Sequence, residues 1–179
     1  MTAKIRAHAN NLGIVLAHEI HPGTAAMTAD DFLMLVAICD GDICLGVNAD
    51  PSHCSEGEHW RDRFTKVADR IVACHMKNHT IKKGMALRCM EPDWRKRPMQ
   101  FTRLDMGYLN LLHYVELMAD AGYVQRYLDL MGKDTAPLVA EAEGAYENLD
   151  NIAARGITWI AEECCFEVAE ASFEDTMGA

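Results

Sequence analysis

A stripe of apolar side chains between Trp60 and His75 constrains this chain more than any other feature. Trp60, Phe64, Val67, Ala68, Ile71, Val72 and His75 recur at i, i+4, i+7, i+8, i+11, i+12 and i+15. That spacing is one face of an amphipathic helix. It predicts a helix from Trp60 to about Asn78, opened by Ser55-x-x-Glu58 as a capping box.

The same period recurs along the chain. Ile5, Ala9, Leu12, Leu16 and Ile20 predict a helix over 2–21, ended by Pro22-Gly23. Leu104, Tyr108, Leu111, Leu112, Val115 and Met118 predict another over 102–121, ended or bent at Gly122. A short helix over 124–131 stops at Gly132, and Pro137 opens a long pattern to about Ser172. Gly144 and Gly156 interrupt that pattern and predict a break or kink. Residues 28–47 admit two readings. Thr28-Ala-Asp-Asp31 is an N-cap, whereas Asp40-Gly41 between apolar runs is a hairpin signal. The good cap and the lack of alternation over Phe32–Cys39 favour a helix followed by a short strand. Lys83 to Met90 predicts a further strand after the turn at Gly84. The expected fold is therefore mainly α, with a minor two-strand β element in the N-terminal half. A mixed part, 1–100, would meet an acidic helical part, 101–179, or the two would form one compact domain.

Nothing in the sequence points to a membrane or to export. The longest apolar run, Phe32 to Cys39, falls far short of the ~20 residues that span a bilayer. No apolar stretch follows Lys4 and Arg6 as it would in a signal peptide. Seven cysteines, an odd number without regular spacing, read as buried thiols in a reducing cytoplasm.

The net charge of −10 is unevenly spread. Residues 1–60 hold two basic and eight acidic side chains, residues 61–103 twelve and four, and residues 104–179 three and fifteen. A basic centre between acidic ends implies a charged partner, or pairing of the ends with the centre. Lys82, Lys83, Arg88, Arg95, Lys96 and Arg97, with Trp94 among them, resemble a stretch that grips phosphates while an indole stacks on a base. Glu163, Glu167, Glu170 and Glu174 line one helical face at i, i+4, i+7 and i+11. Like charges at that spacing repel, so a basic surface on a protein or nucleoprotein partner would offset them, the stripe acting as a phosphate-like decoy.

Candidate chemistry concentrates at 53–79. Cys54-x4-His59 recurs as Cys74-x4-His79, and His53 and His75 add two donors. Cys54, His59, His75 and His79 would supply the four ligands of a tetrahedral zinc, with His75 and His79 on one helical face. The spacing matches no standard zinc module, and Cys74 and His75 also suit the core. His18-Glu19-Ile20-His21 lacks the i, i+4 histidines of a metalloprotease and reads as imidazoles at a helix C-terminus. His113-x-x-Glu116 lacks the second copy that a dinuclear bundle needs. With no nucleophile elbow, phosphate loop or dinucleotide fingerprint, the function expected is that of a non-catalytic regulator or inhibitor acting through charged surfaces. A zinc-binding protein or metal-dependent enzyme built on 53–79 is the alternative, and nucleic-acid binding through 82–97 is a third.

Overall fold

A computed structural model of the chain describes residues 3–54, 58–82, 93–144 and 148–165. In chain order the elements are α1 (Ala3–Leu12), β1 (Leu16–Glu19), α2 (Ala29–Ile38), β2 (Leu45–Ala49), α3 (Trp60–Lys66), β3 (Ile71–Met76), β4 (Asn78–Ile81), β5 (Met99–Thr102), α4 (Leu111–Asp120), α5 (Tyr123–Met131), β6 (Val139–Ala140) and α6 (Leu149–Glu163). Four strands form one parallel sheet in the order β1-β2-β3-β6. Each neighbour in the sheet comes later in the chain, and each step is a crossover carrying a helix, as parallel pairing requires. An antiparallel hairpin of β4 and β5 is inserted between β3 and α4. Among the described residues, no helix is long and apolar enough to cross a membrane.

The chain is thus α/β, which corrects the expectation of a mainly helical protein with one small β element. Trp60 to Lys66 is helical, but Ile71 to Met76, the second half of the apolar stripe, is the strand β3. A parallel strand covered by helices is apolar over most of its length. It therefore satisfies a helical spacing by default, and only its β-branched Ile71 and Val72 argue for a strand. The stretch 2–21 divides in the same way. Gly13 turns at φ +65° after α1, and β1 follows. The pattern after Pro137 begins with the strand β6 and becomes helical only at Leu149. The predicted helix over 102–121 is a 3-10 turn, Leu104–Met106, followed by α4. Three local readings hold: helix then strand over 28–47, the stop at Gly122 and the stop at Gly132, both glycines having positive φ. Ser55 and the predicted strand 83–90 lie outside the described residues.

Side chains alternate across the sheet. One face packs on the helices. His18 stacks on Phe32 of α2, and the Cys74 thiol meets the Tyr114 hydroxyl of α4 at 3.3 Å. Phe32, Phe64, Tyr114, Met118 and Tyr123 bury themselves there against Leu45, Val47, Ile71 and Met76. The other face carries Ala17, Glu19, Asn48, Ala73, His75 and Val139, in register with one another. It is only partly covered.

The cap of α2 is reciprocal. The Thr28 hydroxyl accepts from Asp31 N at 3.1 Å, and the Asp31 carboxylate accepts from Thr28 N at 3.0 Å. Thr28→Ala is expected to cost about 1 kcal/mol, read as a lower urea midpoint at an unchanged m-value. An unshifted midpoint would show that water caps the helix equally well.

Candidate metal centre

The C-terminal ends of the parallel strands bring charged side chains together on the open face. Glu19 is the last residue of β1, Asp50 follows β2, His75 lies near the end of β3, and Glu141 follows β6. One ligand atom from each of Glu19, Asp50, His75 and Glu141 lies within 4.8 Å of the other three. His75 Nδ1 is 2.8 Å from Glu141 Oε2 and 3.5 Å from Glu19 Oε2. Asp50 is 2% exposed. Its Oδ1 accepts from Ser52 N at 2.8 Å, the Asx turn that starts the 3-10 turn Pro51–Cys54. Its Oδ2 is thereby left to face the cluster.

Two further cations border these groups. His53 Nε2 lies 3.3 Å from both Glu19 Oε1 and Asp50 Oδ2. The Lys77 ammonium, on a residue 2% exposed, is 3.0 Å from Glu141, 2.9 Å from Glu143 and 3.9 Å from Asp50. It also stands 4.2 Å above the Phe101 ring of β5, so the inserted hairpin walls the site. Asn48 bridges β1 and β3, its amide nitrogen 3.3 Å from Glu19 Oε2 and 3.1 Å from His75 Nε2.

These contacts set the protonation states. Burial works against ionisation of Asp50, but His53 and Lys77 outweigh it and hold its pKa below the ordinary value. Burial likewise opposes a charge on His53, yet Asp50 and Glu19 raise its pKa to about 9. The Glu141 carboxylate raises the pKa of His75, and His75 in turn lowers that of Glu141. Lys77 is raised by its carboxylates despite burial. At neutral pH the cluster is an array of carboxylates laced with protonated nitrogens.

The residues fit a divalent cation. Asn48 Oδ1 is buried and receives no hydrogen bond among the described residues, while Asp50 Oδ2 is met by His53 and Lys77 and Glu141 Oε2 by His75. Three carboxylates held this close repel one another, and a cation among them would relieve that repulsion. Three carboxylates and one imidazole form a hard donor set, suited to magnesium or manganese. A second group shares Glu19: with His21 and His53 it brings three ligand atoms within the same 4.8 Å, the two rings 4.0 Å apart.

Of the four ligands expected from the sequence, His75 belongs to this cluster, and Cys54, His59 and His79 lie elsewhere. Cys54 is buried, its thiol pushed up to about 12 by burial, so it holds its proton. His59 caps α3, its Nδ1 accepting from Arg61 N at 3.3 Å. His79 is buried on β4, so it shares no helical face with His75. In the basic stretch, Lys82 N donates to Pro98 O, and the Lys96 ammonium meets Asp93 at 3.4 Å. Arg95 lies within the same 3-10 turn, Trp94–Lys96, and Arg97 follows it. Lys83, Arg88 and the Trp94 side chain lie outside the described residues, as do Glu167, Glu170 and Glu174; Glu163 ends α6. Much of the basic centre pairs with the chain's own acids. Arg63 meets Glu58, Lys66 meets Asp30 and Glu58, and Arg103 meets Asp105.

Asn48, Asp50, Lys77 and Glu141 were not singled out by sequence reasoning, and Glu19 was met only inside the His18–His21 motif, read as a helix end although His18 and Glu19 lie on the strand β1. Their signal is a repeated one: a short apolar run closed by a polar or charged residue, as in Leu45-Gly-Val-Asn-Ala-Asp50 and Val139-Ala-Glu141. It becomes legible once the runs are read as parallel strands, because ligands of such sheets bind beyond the strands' C-terminal ends.

No protein-family model matches the chain, and no curated protein does. Solved structures do resemble it. The xylose isomerase domain protein from Planctomyces limnophilus superposes with a TM-score of 0.59 at 19% identity, over 89% of this chain and 48% of that one. The xylose isomerase-like TIM barrel protein from Mycobacterium smegmatis, in complex with magnesium, gives 0.57 at 21%, over 89% and 46%. The probable 3-DHS dehydratase AsbF, involved in petrobactin synthesis in Bacillus anthracis, gives 0.60 at 20%, over 89% and 55%. The chain spans about half the length of each. The expectation of a helical, non-catalytic regulator or inhibitor is corrected by these findings. It rested on charged faces of helices, whereas the chain folds like barrel proteins and gathers its charges at strand ends. The conclusion they support is one of fold: this chain is folded like about half of a TIM barrel.

Proposed function

We propose that the chain carries the metal-binding centre of a divalent-metal-dependent enzyme acting on a small, hydroxyl-bearing carbonyl compound by proton transfer. The convergence of Glu19, Asp50, His75 and Glu141 from four adjacent strand ends carries this reading. The names of the similar structures, isomerase-like and dehydratase, favour isomerisation or dehydration, both of which move a proton beside a carbonyl. When bound, the cation would polarise a substrate oxygen. Lys77 holds Glu141 and Glu143 in place by ion pairs and keeps positive charge beside Asp50. His53, charged at neutral pH, presents its Nε2 proton between two carboxylates and can donate it to a substrate oxygen. The oxygen-rich donors favour magnesium or manganese over the zinc that a Cys/His set would select.

Manganese binding tests this directly. Titration followed by electron paramagnetic resonance should find one tightly held ion per chain. At a hundredfold excess over Kd the ion should stabilise the fold by about 2.7 kcal/mol. Glu141→Gln should weaken binding ~10-fold or more, since it removes a charged ligand. A wild-type protein that binds no ion above background would end the proposal.

A further inference from the structure

Outside the metal centre, the described residues enclose a cleft of about 780 Å³. Sites for small molecules run from roughly 300 to 1,000 Å³. The first turns of α3 and α4 wall this one, with Ile81 at the end of β4 and the loop residues Tyr108 and Leu109. The turn Pro51–Cys54 divides it from the metal centre. His53 meets Glu19 and Asp50, whereas the next residue, Cys54, lines the cleft.

Aromatic rings border the cleft. Trp60 is 7% exposed and stands edge-on to Tyr114, the ring centroids 6.0 Å apart. His59 stacks on the same indole at 5.5 Å. Tyr108 and His113 add two more rings, both exposed. Such surfaces take a flat ring by stacking.

The polar groups around these rings are donors. The Arg61 guanidinium lies 5.1 Å from the centre of the Trp60 ring and meets no carboxylate among the described residues. His59 Nδ1 accepts from Arg61 N at 3.3 Å, so its Nε2 carries the proton. Asn110 Oδ1 accepts from His113 N at 3.2 Å, which leaves its amide nitrogen to donate. Glu58, the carboxylate at the cleft, is already held by Arg63 at 3.1 Å and by Lys66 at 3.6 Å. A free guanidinium and neutral donors, with the local acid engaged, select a negatively charged group.

We propose that this cleft binds an aromatic carboxylate, with its ring against Trp60 and Tyr108 and its carboxylate on Arg61. The planar guanidinium matches two carboxylate oxygens at once. The cleft takes no residue of the metal centre, so the inference stands or falls apart from the metal reading.

The probe is 2-naphthoate, titrated into the metal-free 179-residue chain and followed by nuclear magnetic resonance of the imidazoles. The His59 and His113 signals should move together and saturate, while those of His53 and His75 stay in place. The neutral isostere 2-naphthamide should bind ~10-fold more weakly, since it lacks the charge that Arg61 meets. Arg61 is exposed, so Arg61→Ala should leave the circular dichroism spectrum and cooperative melting intact. It should weaken naphthoate ~10-fold and naphthamide little. Tyr108→Ala should weaken both ligands, because both stack. Unmoved His59 and His113 signals at millimolar naphthoate would overturn the proposal. Shifts confined to His53 and His75 would overturn it equally, since the probe would then sit on the cations of the metal centre. Equal affinity for the acid and the amide would rule out an anion as the ligand.

Discussion

Arg63→Ala is expected to lower the unfolding free energy by about 3–5 kcal/mol, the cost of breaking a buried ion pair from one side. Arg63 is 2% exposed. Its Nε donates to Glu58 at 3.1 Å, and its terminal nitrogens donate to the carbonyls of Ile20 at 3.1 Å, His53 at 3.5 Å and Met27 at 2.9 Å. One guanidinium thus ties together the loop after β1, the turn after β2 and the start of α3. Truncation would strand three carbonyls and leave the Glu58 carboxylate with an ammonium, Lys66, 3.6 Å away as its remaining basic partner. Arg63→Lys should recover less than half the loss, because a single ammonium cannot span four acceptors in a fixed fork. Urea denaturation measures both. Since Ile20 and His53 sit beside Glu19 and Asp50, manganese affinity should fall along with stability. A loss below about 1 kcal/mol, the scale of an ordinary hydrogen bond, would show that these carbonyls find water when the side chain is gone.

Acid should destabilise the fold through His79. Burial lowers its pKa from 6.5 to about 4 in the folded protein. Between those values the unfolded chain binds a proton that the folded one refuses. Stability from this group is therefore complete above pH 6.5 and drains away as pH falls to about 4. The total is about 3 kcal/mol at the usual 1.36 kcal/mol per pH unit. His53 acts in the opposite sense: raised to about 9, it stabilises fully below 6.5, and its contribution is lost as pH climbs through 9. His79→Gln should shrink the acid limb by about that amount, leaving the part due to His18, whose pKa burial also lowers, and should leave the alkaline limb. Urea midpoints of both proteins from pH 7 to 4.5 give the difference directly. A flat difference would mean that His79 is protonated, or solvated, in the fold.

The charge pattern shows how far sequence reasoning reached. The basic centre was legible, and so was the option that it pairs with the acidic ends. What could not be read was which acid each base would meet. Lys77 lies 64 residues from Glu141 and 66 from Glu143, and only the pairing of β6 with β3 brings them to 3.0 and 2.9 Å. His75 shows the same limit. Its value as a ligand was visible from its residue type, but its predicted companions were chosen by nearness in sequence. A strand points consecutive residues to opposite faces and sends the chain away at its end. The true neighbours therefore come from the ends of other strands, Glu19, Asp50 and Glu141.

By itself the sequence determined the local punctuation of this protein. The Thr28–Asp31 capping box and the stops at Gly122 and Gly132 are each written in a few adjacent residues, because caps and tight turns are satisfied within one turn of chain. Tertiary structure alone decided whether Ile71–Met76, Leu16–Glu19 and Val139–Ala140 became helix or strand. A short segment buried on most sides has no polar face to declare its period. Its state is set by the partners it finds: here each strand hydrogen-bonds to a strand far along the chain, and the cluster of Glu19, Asp50, His75 and Glu141 forms only where those strands end together.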